Sequence, residues 1–263
     1  MSKPQAPSNS TEETGATGVN PYADRPDDKA AQVEQMFDNI APGYDLMNRV
    51  VSMGLDQSWR KAAVKQLAAL KPKRVLDLAA GTGDFAGMVA KLLSPKEVVL
   101  ADFSAEMLAL SKPKLEPKYP NVNFSYDKAD ALNLPYADDH FDALTVGFGI
   151  RNFADPLKGL QQMHRVVRPG GRVVILEPGK PRGPIMQLGY WLHFKVLTPV
   201  VGALFSKDKS AYSYLPASAA AFPVGDDFVR LAKRAGFDAR HLPLTGGACA
   251  LYVLDKPAAG EPS

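Results

Sequence analysis

One cysteine, Cys249, and four histidines, His140, His164, His193 and His241, are the only thiol and imidazole groups in this chain of 263 residues. A lone thiol excludes an intramolecular disulfide, and without a Cys cluster or an H-x-x-x-H spacing no metal site is expected. So little cysteine fits a reducing, cytoplasmic compartment. An excess of one charge is missing too: 31 Lys and Arg against 28 Asp and Glu leave a net +3, with the basic residues scattered. That lacks the electrostatic footprint of a nucleic-acid binder, so no nucleic-acid partner is expected. The first thirty residues have no basic stretch leading into an apolar one; rich in Pro, Ser, Thr and Gly, residues 1–30 read as a disordered tail rather than a signal peptide. The longest apolar stretch, residues 185–205, is interrupted by His193, Lys195, Pro199 and Gly202, too broken for a membrane span. Its apolar positions fall all around a helical wheel, which favours a greasy lid over an amphipathic surface helix. Peripheral contact with the inner face of a membrane is the weaker alternative for that segment, and a homo-oligomer is left open.

What is present is 46% hydrophobic and 22% charged, enough for one α/β domain over residues 31–255, followed by a short tail at 256–263. Val33, Met36, Phe37 and Ile40 give a helical stripe that stops before Pro42. A second helix is expected from Asp56 as N-cap to about Leu70, burying Trp59, Ala63, Leu67 and Leu70. From there strand and helix alternate. Strands are predicted at 74–78, 98–101, 122–126, 143–146, 172–176 and 250–254, with helices around 85–93, 105–110, 156–167 and 225–235. The early strands are short and continuously apolar, as parallel strands covered on both faces are. The fold class is therefore α/β, a doubly wound, mostly parallel Rossmann-like sheet with helices before it. Residues 181–224 hold no clear strand and read as a cap over the carboxyl edge of that sheet, where ligands bind in such folds.

The run LDLAAGTGDFA at 76–86 turns from a strand into a helix through glycines. Gly81, Gly83 and Ala86 satisfy G-x-G-x-x-G/A, and Asp102 follows about twenty residues later, a pattern equally suited to a dinucleotide. The acids near the turn argue otherwise: a pyrophosphate on the helix N-terminus would be repelled by Asp84. S-adenosylmethionine carries a sulfonium and an ammonium, so Asp77 and Asp84 beside it would be favourable. Asp102 is placed to accept both ribose hydroxyls, or else to cap the next helix, although Ser104 is better placed for that. Asp130, followed by Ala131, can accept from an exocyclic adenine amine or serve as a turn aspartate.

Six runs together resemble the ubiquinone/menaquinone biosynthesis C-methyltransferase family: FDNIAPGYDLMNRVVSMGLDQSWR (37–60), VLDLAAGTGDFA (75–86), VVLADFSAEML (98–108), FDALTVGFGIRNFADP (141–156), VVRPGGRVVILEPGKP (166–181) and KSAYSYLPASAAAFP (209–223). The resemblance implies a class I methyltransferase fold, S-adenosylmethionine held through Thr82, Asp102 and the Asp130–Ala131 pair, and a polyprenylated quinol as methyl acceptor. Many family members carry a serine where this chain has Gly147, which leaves only backbone for that contact.

Methylating a ring carbon needs a carbon nucleophile aligned with the S–CH3 bond. Ionising the neighbouring quinol hydroxyl supplies it, and a phenol ionises only near pH 10. Arg151, just past the fourth strand, is the candidate for stabilising that anion, directly or through a water. Tyr44 and Asp45 would orient the ring or accept the proton if the N-terminal helices fold over the cofactor; otherwise they are a core tyrosine and a helix cap. His193, Tyr212 and Tyr214 fall in the cap and would line the acceptor pocket, whereas His164 and Cys249 read as structural. Two other functions remain: a nicotinamide-dependent oxidoreductase, against which stands the lack of a Tyr-x-x-x-Lys pair, and a non-catalytic subunit of quinone synthesis. Naphthoquinol and benzoquinol acceptors are not distinguished, though MFDNIAPGYD and SAYSYLP look more like menaquinone-pathway members, which favours demethylmenaquinol.

Overall fold

The computed structural model describes residues 13–22, 28–181, 183, 187 and 209–258. Helices α1 (Lys29–Ile40), α2 (Tyr44–Val51) and α3 (Leu55–Lys65) precede β1 (Arg74–Leu78). Then come α4 (Asp84–Leu93), β2 (Glu97–Asp102), α5 (Ala105–Leu115), β3 (Asn123–Lys128), β4 (Phe141–Gly147), α6 (Pro156–Val166) and β5 (Val167–Pro178). After residue 208 follow α7 (Lys209–Ala221), α8 (Asp226–Arg234), β6 (Asp238–Leu244) and β7 (Cys249–Asp255).

The strands form one seven-stranded sheet in the order β3-β2-β1-β4-β5-β7-β6. The first five run parallel, and β7 runs antiparallel to both β5 and β6. All six strands read from the sequence are present, and the order reverses direction between β1 and β4, so their carboxyl ends open a crevice there. Val75 and Leu76, Val98 and Val99 point to opposite faces, each buried, because helices cover both sides. A third, smaller cluster of Val33, Met36, Ile40, Met47 and Met107 packs the N-terminal helices onto α5. This cluster folds α1 and α2 over the sheet's carboxyl edge rather than letting them trail away.

Several expectations need correction. Strand β6, DARHLPL, was not anticipated: it is an edge strand with polar residues and Pro243, which an edge tolerates. Helix α2 adds a third helix before the sheet, entered through a 3₁₀ turn at Ala41–Gly43. Asp56 is not an N-cap; Gly54 (φ 74°) takes that place, and Asp56 lies in the first turn, accepting from Ser52 and paired with Arg60 at 2.7 Å. Residues 13–22, within the segment read as a disordered tail, lie against the body. The Tyr22 N–H donates to Gln32 Oε1 (2.9 Å), Lys29 Nζ to Thr17 Oγ1 (3.0 Å) and Arg234 to the Glu13 carbonyl (2.7 Å), so the tail reading does not describe these residues. Ser104 does cap α5, accepting from the Met107 N–H.

Candidate active site

Past β1 the backbone enters the left-handed region at Ala79, Gly81 and Gly83 (φ 53°, 54° and 78°) before α4 begins. Gly83 is confined to glycine twice over, since a Cβ there would also fall 2.8 Å from the Leu115 side chain. Asp77 ties this turn down: Oδ2 accepts the Ala86 N–H (2.9 Å) and Oδ1 the Thr145 hydroxyl (2.6 Å), joining β1 to α4 and β4. It is fully buried, and burial pushes its carboxyl up to about 7 against those bonds and the charge of Arg60. The structure places Asp77 behind the turn, fully buried and outside the lining of the cleft in front of it.

The turn opens on a cleft of about 880 Å³, mouth included. One wall is the helical stripe of Ala30, Val33, Glu34 and Phe37 on α1. Tyr44 and Gly81 close one end of the cleft, and the floor and far rim carry Asp102, Asp130, Ala131, Gly147 and Asn152. Among the described lining residues the charged ones are three carboxylates, Glu34, Asp102 and Asp130, with no lysine or arginine. Lys128 meets Glu34 from outside at 2.7 Å.

Asp102 ends β2 with each oxygen holding one backbone donor, Gly81 N–H on Oδ2 (2.7 Å) and Ser104 N–H on Oδ1 (2.8 Å). Each oxygen keeps lone-pair capacity toward the cleft. Burial raises this carboxyl, the backbone bonds oppose, and Asp38 on α1 adds to the rise. Asp130 is the turn aspartate, accepting from the Leu132 N–H (2.9 Å), and it lines the cleft as well. Gly147 lines the cleft at close quarters: a Cβ would lie 3.0 Å from the Phe85 ring, which would have to give way by a few tenths of an ångström.

Of the other predicted site residues, all but Tyr44 stand back from the cleft among the described residues. Thr82 is nearly buried and its hydroxyl donates to Asp45. Asp45 and Asp84 share Lys114, at 2.7 and 2.5 Å. The expectation that Asp84 flanks the ligand is therefore corrected. Burial alone would raise its carboxyl, but the hydrogen bond and charge of Lys114, then Arg60 and Arg49, hold it below the usual range. Arg151 sits behind the rim, 6% exposed, its guanidinium donating to Glu177 Oε2 (3.0 Å) and to the Phe148 carbonyl while its Nε finds no partner. Tyr44 does line the cleft, its phenol raised by burial against a bond with Asn48 and the charges of Arg151 and Arg60, which suits orientation better than accepting a proton. Tyr214 on α7 does not line the cleft; it is buried and donates to Asn152 Oδ1 (3.0 Å). His193, the side chain of Tyr212 and most of 185–205 lie outside the described residues. His164 packs on Phe237 and Cys249 is buried in β7.

Sequence reasoning missed Glu177 and Lys114. Glu177 is fully buried at the end of β5, taking the Arg151 N–H at 3.4 Å as well as its guanidinium. Burial pushes this carboxyl up while Arg151 pulls it back. A single acid in LEPGKP carries no local signal for that role. Lys114 meets partners 69 and 30 positions away, a proximity only the folded chain creates.

A family model for the ubiE/COQ5 methyltransferase family matches residues 25–256. The chain belongs to this family. The demethylmenaquinone methyltransferase of Bacteroides fragilis is 42% identical over 240 residues, spanning 90% of this chain and 97% of that protein. The Thermus thermophilus protein of the same name is 46% identical, spanning 84% of this chain and 100% of its own length. A ubiquinone/menaquinone biosynthesis C-methyltransferase of Geotalea daltonii is 42% identical, spanning 87% and 98%. Among solved structures, a SAM-dependent methyltransferase of Thermotoga maritima, titled as a possible histamine N-methyltransferase, superposes with a TM-score of 0.56 at 18% identity, covering 85% of this chain and 99% of its own. A [4+2]-cyclase superposes equally well (0.57, 18% identity, 89% and 99% covered), so the shared fold alone does not fix the reaction. Membership in a methyltransferase family sets aside the nicotinamide-dependent oxidoreductase. Among the described residues no helix is long and apolar enough to cross a membrane.

Proposed function

We propose that this ubiE/COQ5 family member binds S-adenosylmethionine in the acid-lined cleft and methylates the ring carbon of a polyprenylated quinol, demethylmenaquinol in the first instance. The observation that carries the reading is the charge of the cleft: three carboxylates and no lysine or arginine among its described lining residues. Such a lining suits a ligand bearing a sulfonium and an ammonium and disfavours a pyrophosphate. S-adenosylmethionine supplies the methyl group from its sulfonium. Asp102 would accept the ribose hydroxyls, Asp130 with Ala131 would meet the adenine, and Gly81 and Gly147 would let backbone approach the ligand. Asp77, Gly83 and Thr82 hold the shape of that turn from behind it.

On the acceptor side Tyr44 would orient the ring. Arg151, one layer behind Phe148 and Asn152, would favour the ring oxyanion through its field in a site of low dielectric. Asp45 is occupied by Thr82 and Lys114, which argues against it as the proton acceptor. An acceptor with a polyprenyl tail is delivered from a bilayer, so we place the enzyme in the cytoplasm with peripheral contact at the membrane's inner face. The names of the relatives support quinone biosynthesis, and the first two favour a naphthoquinol ring.

The test is incubation of the full chain with methyl-labelled S-adenosylmethionine and each reduced precursor in turn. Label on the ring carbon of demethylmenaquinol is expected. Label transferred only to a benzoquinol would overturn the choice of ring, and no transfer to either would leave the non-catalytic subunit as the reading.

A further inference from the structure

The ammonium of Lys114 joins four separate parts of the fold. It stands on α5, next to Pro113, and reaches Asp84 Oδ1 in the first turn of α4 (2.5 Å), Asp45 Oδ2 on α2 (2.7 Å) and Thr82 Oγ1 in the glycine turn (3.4 Å). The remaining oxygen of Asp45 accepts the Thr82 hydroxyl, which closes the network.

Two physical consequences follow from that arrangement. The first is positional. Asp45 adjoins Tyr44, whose ring lies 3.7 Å from where a Cβ on Gly81 would stand, so the Lys114–Asp45 contact holds the aromatic end wall of the cleft against the glycine turn. The second is electrostatic. The N-terminal N–H groups of α4 favour an anion at the turn, and two unneutralised carboxylates there would cancel that preference. Lys114 neutralises one of the two charges and hydrogen-bonds both carboxylates. With Lys114 and Asp45 33% and 41% exposed, that arm of the network contributes little to the stability of the fold itself, whereas Asp84, 13% exposed, relies more on its partner.

We propose that Lys114 is a positioning residue for the methyl donor, pinning Tyr44 and Thr82 to the glycine turn and screening Asp45 and Asp84 from the donor's carboxylate. The proposal rests on S-adenosylmethionine being the ligand. Its test is calorimetric titration of the full chain with S-adenosylmethionine, for the wild type, Lys114→Met, Lys114→Arg and the double variant Lys114→Met with Asp84→Asn. Lys114→Met is expected to weaken binding about tenfold with a modest fall in the thermal midpoint, which adding Asp84→Asn should relieve. Lys114→Arg should restore most of the affinity, and adding Asp84→Asn should recover part of what Lys114→Met lost. Wild-type affinity in Lys114→Met, or a loss that Arg does not rescue, overturns the inference while the cofactor reading stands. A wild-type protein that does not bind S-adenosylmethionine overturns the cofactor reading and this inference with it.

Discussion

Asp102 serves two tasks at once, which makes its variants informative. Its oxygens hold the Gly81 and Ser104 N–H groups in place and, on our reading, face the ribose hydroxyls. Asp102→Asn keeps one acceptor oxygen and loses the charge, so affinity for S-adenosylmethionine should fall about a hundredfold by calorimetry, from two weakened charge-assisted bonds. Asp102→Ala also orphans two backbone donors and should lower the thermal midpoint, which Asp102→Asn should largely spare. Asp77 makes a prediction in pH. Its folded carboxyl, at about 7 against an ordinary 3.8, holds a proton that the unfolded chain has already released between those values. That proton-linked stability is fully present below about pH 4 and is lost as pH rises through about 7. The wild-type midpoint should therefore decline from pH 4 to 7, and Asp77→Asn should flatten the decline. Asp102 and Glu177, raised in the same direction, leave a residual slope.

Between β4 and α6, the turn at Ile150–Asn152 is held from two sides. Glu177, at the end of β5, accepts its backbone and the Arg151 guanidinium, while Tyr214 on α7 donates to Asn152. A buried pair that loses one partner leaves the other uncompensated, so Glu177→Gln should cost about 3 kcal/mol in urea unfolding. Tyr214→Phe removes one buried hydrogen bond, worth about 1 kcal/mol. Because Asn152 lines the cleft on the side our reading gives to the acceptor, the same variant should slow methyl transfer while leaving S-adenosylmethionine affinity unchanged. Equal loss of both would show that α7 supports the donor side instead. At this scale α1 also contributes: a stripe spaced for burial in the sequence buries Met36 and Ile40, while Val33 and Phe37 of the same stripe, with Glu34, line the cleft.

Across the whole molecule, what was legible in the sequence is what local pattern encodes. Continuous apolar runs such as VVLAD marked buried parallel strands, and the glycines after LDL marked the turn that α4 follows. Edge strand β6 escaped because a strand with one wet face and a proline carries no apolar run. Site residues divided the same way. Asp102 and Asp130 could be placed because the end of a strand in such a sheet always faces the crevice. Asp84 was misread because its partner Lys114 comes from another helix, and nothing near residue 84 announces it. Asp102 and Asp130, with Glu34 paired to Lys128 at the wall, give the cleft its sign in place of Asp84. That sign is the centre of the account, and competitive calorimetry with S-adenosylmethionine and NAD on the full chain tests it most directly. The account predicts saturable binding of S-adenosylmethionine, lost in Asp102→Ala, with no heat from NAD; tight NAD binding without a response to S-adenosylmethionine would contradict it.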